Sequence, residues 1–404
     1  MSPTAFARFT AASIVLTALA PRPGDATGGI PAFARRYGVS CSLCHNPIPV
    51  LTPFGETFAA NGFRMSPKEE PKDTLNTGDE LLTLMKIVPL AIRLDAYMNA
   101  YANGKVATDF QTPYNLKLLS GGPISDGLSY YLYFFLYERG EVGGIEDAFV
   151  HANDIAGKPV DVMVGQFQVS DPLFKRELRL EYQDYAIYRA RIGEQPADLT
   201  YDRGVMATAD FAGFTLTGVA VNGNGRVASG SNRRLDDNIP KNFMGHLTRD
   251  LVSGVRLGVL GYRGQQEGAS GAGPTVTNTL WMLGVDATLE RGPLQLNAQY
   301  VHRQDDRPTF LIGEPRVLTD GGFAELMIRP AGSRWYGLGL YNRVVSSRPL
   351  LDVRLGGAGG LRAYEALTGG GGYVLRRNFR VYGEVTGDLD HKALVWTLGL
   401  TTAF

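Results

Sequence analysis

The stretch LAIRLDAYMNAY, residues 90–101, sets apolar against polar side chains with a period of two. Leu90, Ile92, Leu94, Ala96 and Met98 fall on one face of an extended chain, and Arg93, Asp95, Tyr97 and Asn99 on the other, because successive side chains of a strand point to opposite sides. The pattern returns in PLQLNAQY (293–300), where Leu294, Leu296 and Ala298 oppose Gln295, Asn297 and Gln299. It returns again in NFRVYGEVT (378–386), with Phe379, Val381 and Val385 against Arg380, Tyr382, Glu384 and Thr386. Alternation alone serves two architectures. A soluble sandwich turns its apolar face inward, whereas a transmembrane barrel turns it to lipid and keeps the polar face for the lumen.

The connections separate the two. About sixteen candidate strands run from residue 85 to residue 404, an even number suited to an outer-membrane barrel. Very short links, AGF near 212, SG at 253–254, RGP at 291–293, AGS at 331–333 and RRN at 376–378, alternate with longer polar segments at 170–199, 223–239, 265–277, 305–321 and 346–363. Short periplasmic turns and long outer loops alternate in that way, and a secreted all-β sandwich has no reason to keep the asymmetry. The last candidate strand sets Leu394, Trp396, Leu398, Leu400 and a terminal Phe404 on one face. Tyr130, Tyr131, Tyr133, Phe134, Phe135 and Tyr137 crowd another strand, as an interfacial girdle or a packed edge requires. The expected fold is therefore all-β, a transmembrane barrel over 85–404 of about sixteen antiparallel strands. Both barrel ends then lie on the periplasmic side. The longest loop, DPLFKRELRLEYQDYAIYRARIGEQPAD (171–198), either folds inward to line or close the lumen or remains a solvated surface loop.

The chain carries 40 basic and 40 acidic side chains, a formal net charge of zero, so bulk charge does not draw it to nucleic acid. Residues 1–26 read as an export signal: Arg8 in a short first region, a weakly apolar core, and small residues allowing cleavage after Ala26 in preference to Ala20. No later window holds the ~20 continuous apolar residues of a membrane helix. No Ser/His/Asp constellation, phosphate loop or carboxylate pair stands in a convincing context.

The chain has two cysteines, and both lie in GVSCSLCHNP as Cys41 and Cys44, with His45 directly after. In an exported protein the spacing admits a redox disulfide, half of a zinc site, or covalent haem attachment. A redox pair belongs between a strand and a helix, a pattern missing around Cys41. A zinc site needs more nearby donors, but His151, His246, His302 and His391 are scattered far downstream. Cys-x-x-Cys-His fits haem c, with two thioethers from Cys41 and Cys44 and the His45 imidazole as proximal iron ligand. Thr52 as N-cap, Pro53 at the first helical position and Asn61-Gly62 as a stop predict a short helix over about 53–61 that places Phe54 and Phe58 against the haem. Met65, just beyond it, is the candidate distal ligand; Met85, His151 or an open position are the alternatives. A small helical haem domain over 27–65, joined by a charged linker over 66–84, is too small to enclose a haem alone, so it is expected to dock in or at the periplasmic mouth. Lumen-facing Arg93, Asp95, Arg380 and Glu384 are available there for the haem propionates or the domain surface.

Taken together, AFARRYGVSCSLCHNP, LTPFGETFAANGFRM and the barrel-like remainder resemble the fused outer-membrane monohaem cytochrome c–porin family, the type that includes the proposed iron oxidases. The resemblance implies electron transfer across the outer membrane, from an extracellular redox substrate such as Fe(II) to a periplasmic electron carrier such as a soluble cytochrome. It also implies outer-membrane lipid as surroundings and no nucleic-acid partner. A solute porin with a haem appendage and a secreted haem protein are the alternatives.

Overall fold

The computed structural model describes residues 32–45, 50–71, 74–82, 84–102, 106–173, 177–229, 232–236, 238–269, 271–353, 360–376 and 378–404. The leader read over 1–26 lies outside the described residues. Sixteen antiparallel strands close into one barrel. In chain order they are β1 (Leu90–Ala102), β2 (Val106–Ser125), β3 (Leu128–Glu138), β4 (Ile145–Ala152), β5 (Val160–Gln168), β6 (Tyr201–Phe211), β7 (Phe214–Val221) and β8 (Asn242–Val252). They continue as β9 (Val255–Gly268), β10 (Val276–Arg291), β11 (Leu294–Asp305), β12 (Val317–Ile328), β13 (Trp335–Ser346), β14 (Ala363–Arg376), β15 (Phe379–Asp388) and β16 (Ala393–Ala403). Each strand pairs with its neighbours in sequence, and β16 returns to β1 with Leu394 opposite Ala102 and Ala403 opposite Arg93.

Burial runs opposite to that of a soluble sandwich. Asp95, Asn99, Asn115, Asp305 and Glu325 are fully buried in the interior, while Leu283, Val285, Leu367 and Leu398 are each more than 50 % exposed on the outer wall. An outward apolar surface of that extent is stable only against lipid.

Connections alternate as the sequence predicts. One rim carries the tight turns, including Ala212-Gly213 between β6 and β7, where both residues take positive φ (48° and 77°), the backbone a two-residue hairpin needs. The other rim carries the long loops. Several boundaries differ from the sequence reading, β12 starting at Val317 inside the segment read as a loop over 305–321, and two bear on the site. The second strand, expected at 113–120, runs from Val106 to Ser125, because β1 and β3 supply hydrogen-bond partners along its length, with register shifts at Leu116/Lys117 and Pro123/Ser125. The first barrel strand starts at Leu90, whereas Leu84–Met85 pairs with Thr74–Leu75 inside and just past the segment read as linker.

The loop between β5 and β6 turns inward. Its Leu178, Leu180, Tyr185, Ile187 and Tyr188 are all at most 4 % exposed, and its short helix Ala186–Arg189 packs on β12 and β13. Among the described residues, three helices precede the barrel: α1 (Ala32–Tyr37), α2 (Cys41–Cys44) and α3 (Pro53–Ala60). The last follows its sequence signals. Thr52 Oγ1 accepts from Gly55 N at 3.1 Å, Pro53 occupies the first turn, and Asn61 caps the end before Gly62 at φ 68°.

Candidate functional site: a chamber between the helical segment and the lumen

The helical segment is fastened to the tight-turn rim. Arg35 Nη2 donates to the Leu90 carbonyl at 2.6 Å, and Asn153 Nδ2, from the turn between β4 and β5, donates to the Ala60 carbonyl at 2.8 Å. Arg256 of β9 pairs with Glu56 at 3.1 Å. Arg329, just after β12, donates from Nη1 to the His45 carbonyl at 2.9 Å. Arg64 is wholly buried and donates to Asn153 Oδ1 at 2.8 Å. Gly62 lies so close to the wall that a Cβ there would meet Ser129 Oγ at 2.2 Å. Phe33, Tyr37, Phe58 and Phe63 form an aromatic core, which Phe63 extends into the barrel by stacking on Tyr131 with centroids 4.3 Å apart.

Between this segment and the inward loop lies a chamber of about 830 Å³, within the ~300–1,000 Å³ of cofactor and ligand sites. Cys41, Cys44, His45, Phe58 and Met65 all line it, together with barrel residues that include Arg93, Lys117, Tyr131, Tyr133, Phe149 and His151. Phe54 does not. It stacks on Phe58 at 6.5 Å, is 38 % exposed and lies outside the chamber lining. Met65 is half-exposed, its backbone N–H donating to Glu69 Oε2 at 2.9 Å. Met85 lies in the Thr74–Leu75/Leu84–Met85 ladder, away from the chamber lining.

The thiol turn is built tightly. No disulfide joins Cys41 and Cys44, and both are partly exposed. The His45 N–H donates to the Cys41 carbonyl at 2.9 Å, and the Thr52 N–H donates to the Cys44 carbonyl at 2.9 Å. A Cβ at position 55 would lie 2.2 Å from the Cys44 oxygen, so glycine is what allows α3 to pack on the motif. Burial, and after it the neighbouring Cys41, push the Cys44 thiol up. Among the described residues, no three His, Cys, Asp or Glu side chains gather as metal-ligand geometry requires.

At the inner end of the chamber, the loop's Glu177 meets Arg93 at 2.6 Å, Lys117 at 3.0 Å and the Tyr133 hydroxyl at 2.7 Å. Arg179 pairs with Asp95 at 2.8 Å. Of the four polar residues that the sequence offers to a docked domain, only Arg93 lines the chamber. Asp95, Arg380 and Glu384 are engaged by the loop instead, through Arg179, Glu181 and the Tyr182 N–H respectively. The folding-in of that loop supplies partners that no local pattern signals.

No protein-family model matches the chain, and no curated protein sequence matches it. Solved structures do match. An anion-selective porin from Comamonas acidovorans aligns with a TM-score of 0.56 at 15 % identity, over 79 % of this chain and 99 % of the porin. OmpF of Salmonella typhi aligns at 0.54 and 10 % identity, over 78 % and 97 %. Outer-membrane-expressed OmpT of Vibrio cholerae aligns at 0.53 and 10 % identity, over 83 % and 100 %. The chain has the porin fold. At these identities the likeness is one of architecture, and function has to be argued from the site.

Arg64, Asn153 and Arg329 carry no sequence signal for their roles. Phe63 is marked only as one more aromatic after α3, and its stacking on Tyr131 depends on how the segment meets β3.

Proposed function

We propose that this chain is an outer-membrane electron-transfer protein whose barrel houses a covalent haem c. The observation that carries the reading is that Cys41, Cys44 and His45 line one chamber shared by the helical segment and the lumen. The donor set suits the group: two thiols one helical turn apart and outside any disulfide, an imidazole on the next residue, and aromatic walls from Phe58, Phe63 and Tyr131. Cys41 and Cys44 would hold it covalently, and His45 would be the proximal ligand. Met65 and His151, both on the chamber wall, would be available as a second ligand. The group would supply one-electron chemistry; the protein supplies position, aromatic walls and insulation from lipid.

In this reading the tight-turn rim faces the periplasm, where a soluble electron carrier is the partner, and the long loops face an extracellular donor such as Fe(II). A solute porin is the second reading, favoured by the porin fold. The inward loop, whose Tyr185, Tyr188 and Ile192 are almost wholly buried, narrows the lumen, an arrangement that suits either reading, and the Cys41–Cys44–His45 motif on the chamber wall is what favours the first.

The test is expression of the full chain with cytochrome c maturation factors. A pigment that survives acid–acetone extraction is expected, weakened by Cys41→Ala or Cys44→Ala and altered in its spin-state spectrum by His45→Ala. A purified chain that carries no covalent pigment overturns the reading.

A further inference from the structure

We propose that Arg329 is a positioning residue through which the barrel sets the reduction potential of the centre held by His45; the inference rests on the haem reading above. Arg329 follows β12 on the tight-turn rim, 284 residues from His45, and its Nη1 donates to the His45 carbonyl at 2.9 Å. The other side of the same residue is held by the motif itself, the His45 N–H donating to Cys41 O at 2.9 Å. His45 is thus clamped at both peptide units, once by its own helical turn and once by the barrel. Arg35 and Asn153 also tie the segment to the rim, but at Leu90 and Ala60, away from the thiol turn.

Two consequences follow from the chemistry of the contact. A guanidinium stays charged at any ordinary pH, and in a partly buried contact its field is screened far less than in water. Oxidised iron carries one more positive charge than reduced iron, so a fixed cation one peptide unit from its imidazole ligand disfavours the oxidised state and raises the potential. The hydrogen bond also fixes the backbone from which the imidazole projects, and outer-shell contacts of this kind tune a metal centre.

The experiment uses the full chain, matured with covalent haem and purified in detergent, with the midpoint potential read by spectroelectrochemical titration. Arg329→Ala and Arg329→Gln are expected to lower the midpoint. Arg329→Lys, which keeps the charge, is expected to restore most of it. Arg35→Gln removes a different tie to the rim and is expected to leave the midpoint unchanged. An unchanged midpoint in both Arg329→Ala and Arg329→Gln overturns the inference while the haem reading stands, as does an equal fall in Arg35→Gln, which would make the effect one of loosened docking. Absence of covalent pigment from the unsubstituted chain overturns the haem reading and this inference with it. Should Arg329→Ala fail to assemble, the contrast between Gln and Lys decides.

Discussion

Arg64 and Asn153 join the helical segment to the barrel through a buried hydrogen bond of 2.8 Å between Nη2 and Oδ1. Arg64 also donates to the Asn61 carbonyl at 3.1 Å, so it ties the end of α3 to the turn between β4 and β5. The segment is therefore fastened to the barrel's tight-turn rim by a buried contact.

Removing that guanidinium should release the segment. A hydrogen bond to a charged group contributes about 1.5–3 kcal/mol, and each 1.4 kcal/mol is tenfold in an equilibrium. Arg64→Ala is expected to raise the rate of proteolysis within residues 66–71 by about tenfold or more, with the barrel's thermal unfolding little changed. Cleavage at the unsubstituted rate would show that the remaining contacts hold the segment by themselves.

Glu177 is the anion on which Arg93, Lys117 and Arg179 converge. Removing one partner of a buried ion pair costs about 3–5 kcal/mol because the other charges stay buried and uncompensated. Glu177→Ala should make the loop between β5 and β6 cleavable in the folded protein and raise the current across planar bilayers. Glu177→Gln, which keeps the shape and the contact to Tyr133, should fall between. A loop equally protected in all three proteins would mean that its apolar side chains alone hold it.

Tyr37 gives the docked segment an alkaline limit. Burial, opposed by Arg36 and reinforced by Glu69, raises its hydroxyl from the usual value near 10 to about 12. The hydroxyl donates to Glu69 Oε2 at 3.2 Å and to the Phe63 carbonyl at 3.4 Å. Because the folded value lies above the unfolded one, the stabilisation is complete below pH 10 and declines as pH rises toward 12. Protease protection of the segment should therefore fall across that window, and Tyr37→Phe should flatten the dependence. An identical pH profile in the variant would count against the role of this hydroxyl.

The two rims differ in access if the barrel sits as proposed. An epitope inserted at Ile312, 78 % exposed on a long loop, should be reached by antibody on intact cells. An epitope at Gly292, in the tight turn between β10 and β11, should be reached only after the outer membrane is opened. Labelling of both on intact cells would contradict the orientation.

Much of the fold is legible in sequence because its cause is local. A period of two in LAIRLDAYMNAY, tight-turn chemistry at Ala212-Gly213 and the spacing of long and short links each act within a few residues, and they led to sixteen strands in the observed order. The bounds of α3 were legible for the same reason, from Thr52, Pro53 and Asn61-Gly62. Which side chains of α3 reach the chamber was not legible, because periodicity does not say how the helix packs: Phe58 lines it and Phe54 does not.

What the sequence by itself determined was the barrel, its alternating rims, and the Cys41–Cys44–His45 motif with the chemistry it can support. What only the tertiary structure decided was where that motif lies and what surrounds it. Arg64 reaches Asn153 across 89 residues, Arg93 reaches Glu177 across 84, and Arg329 reaches His45 across 284. Closure of the sheet, with β16 on β1, brings such distant partners to one interior. A strand pattern encodes which face a side chain takes, and the closed barrel decides what it meets there.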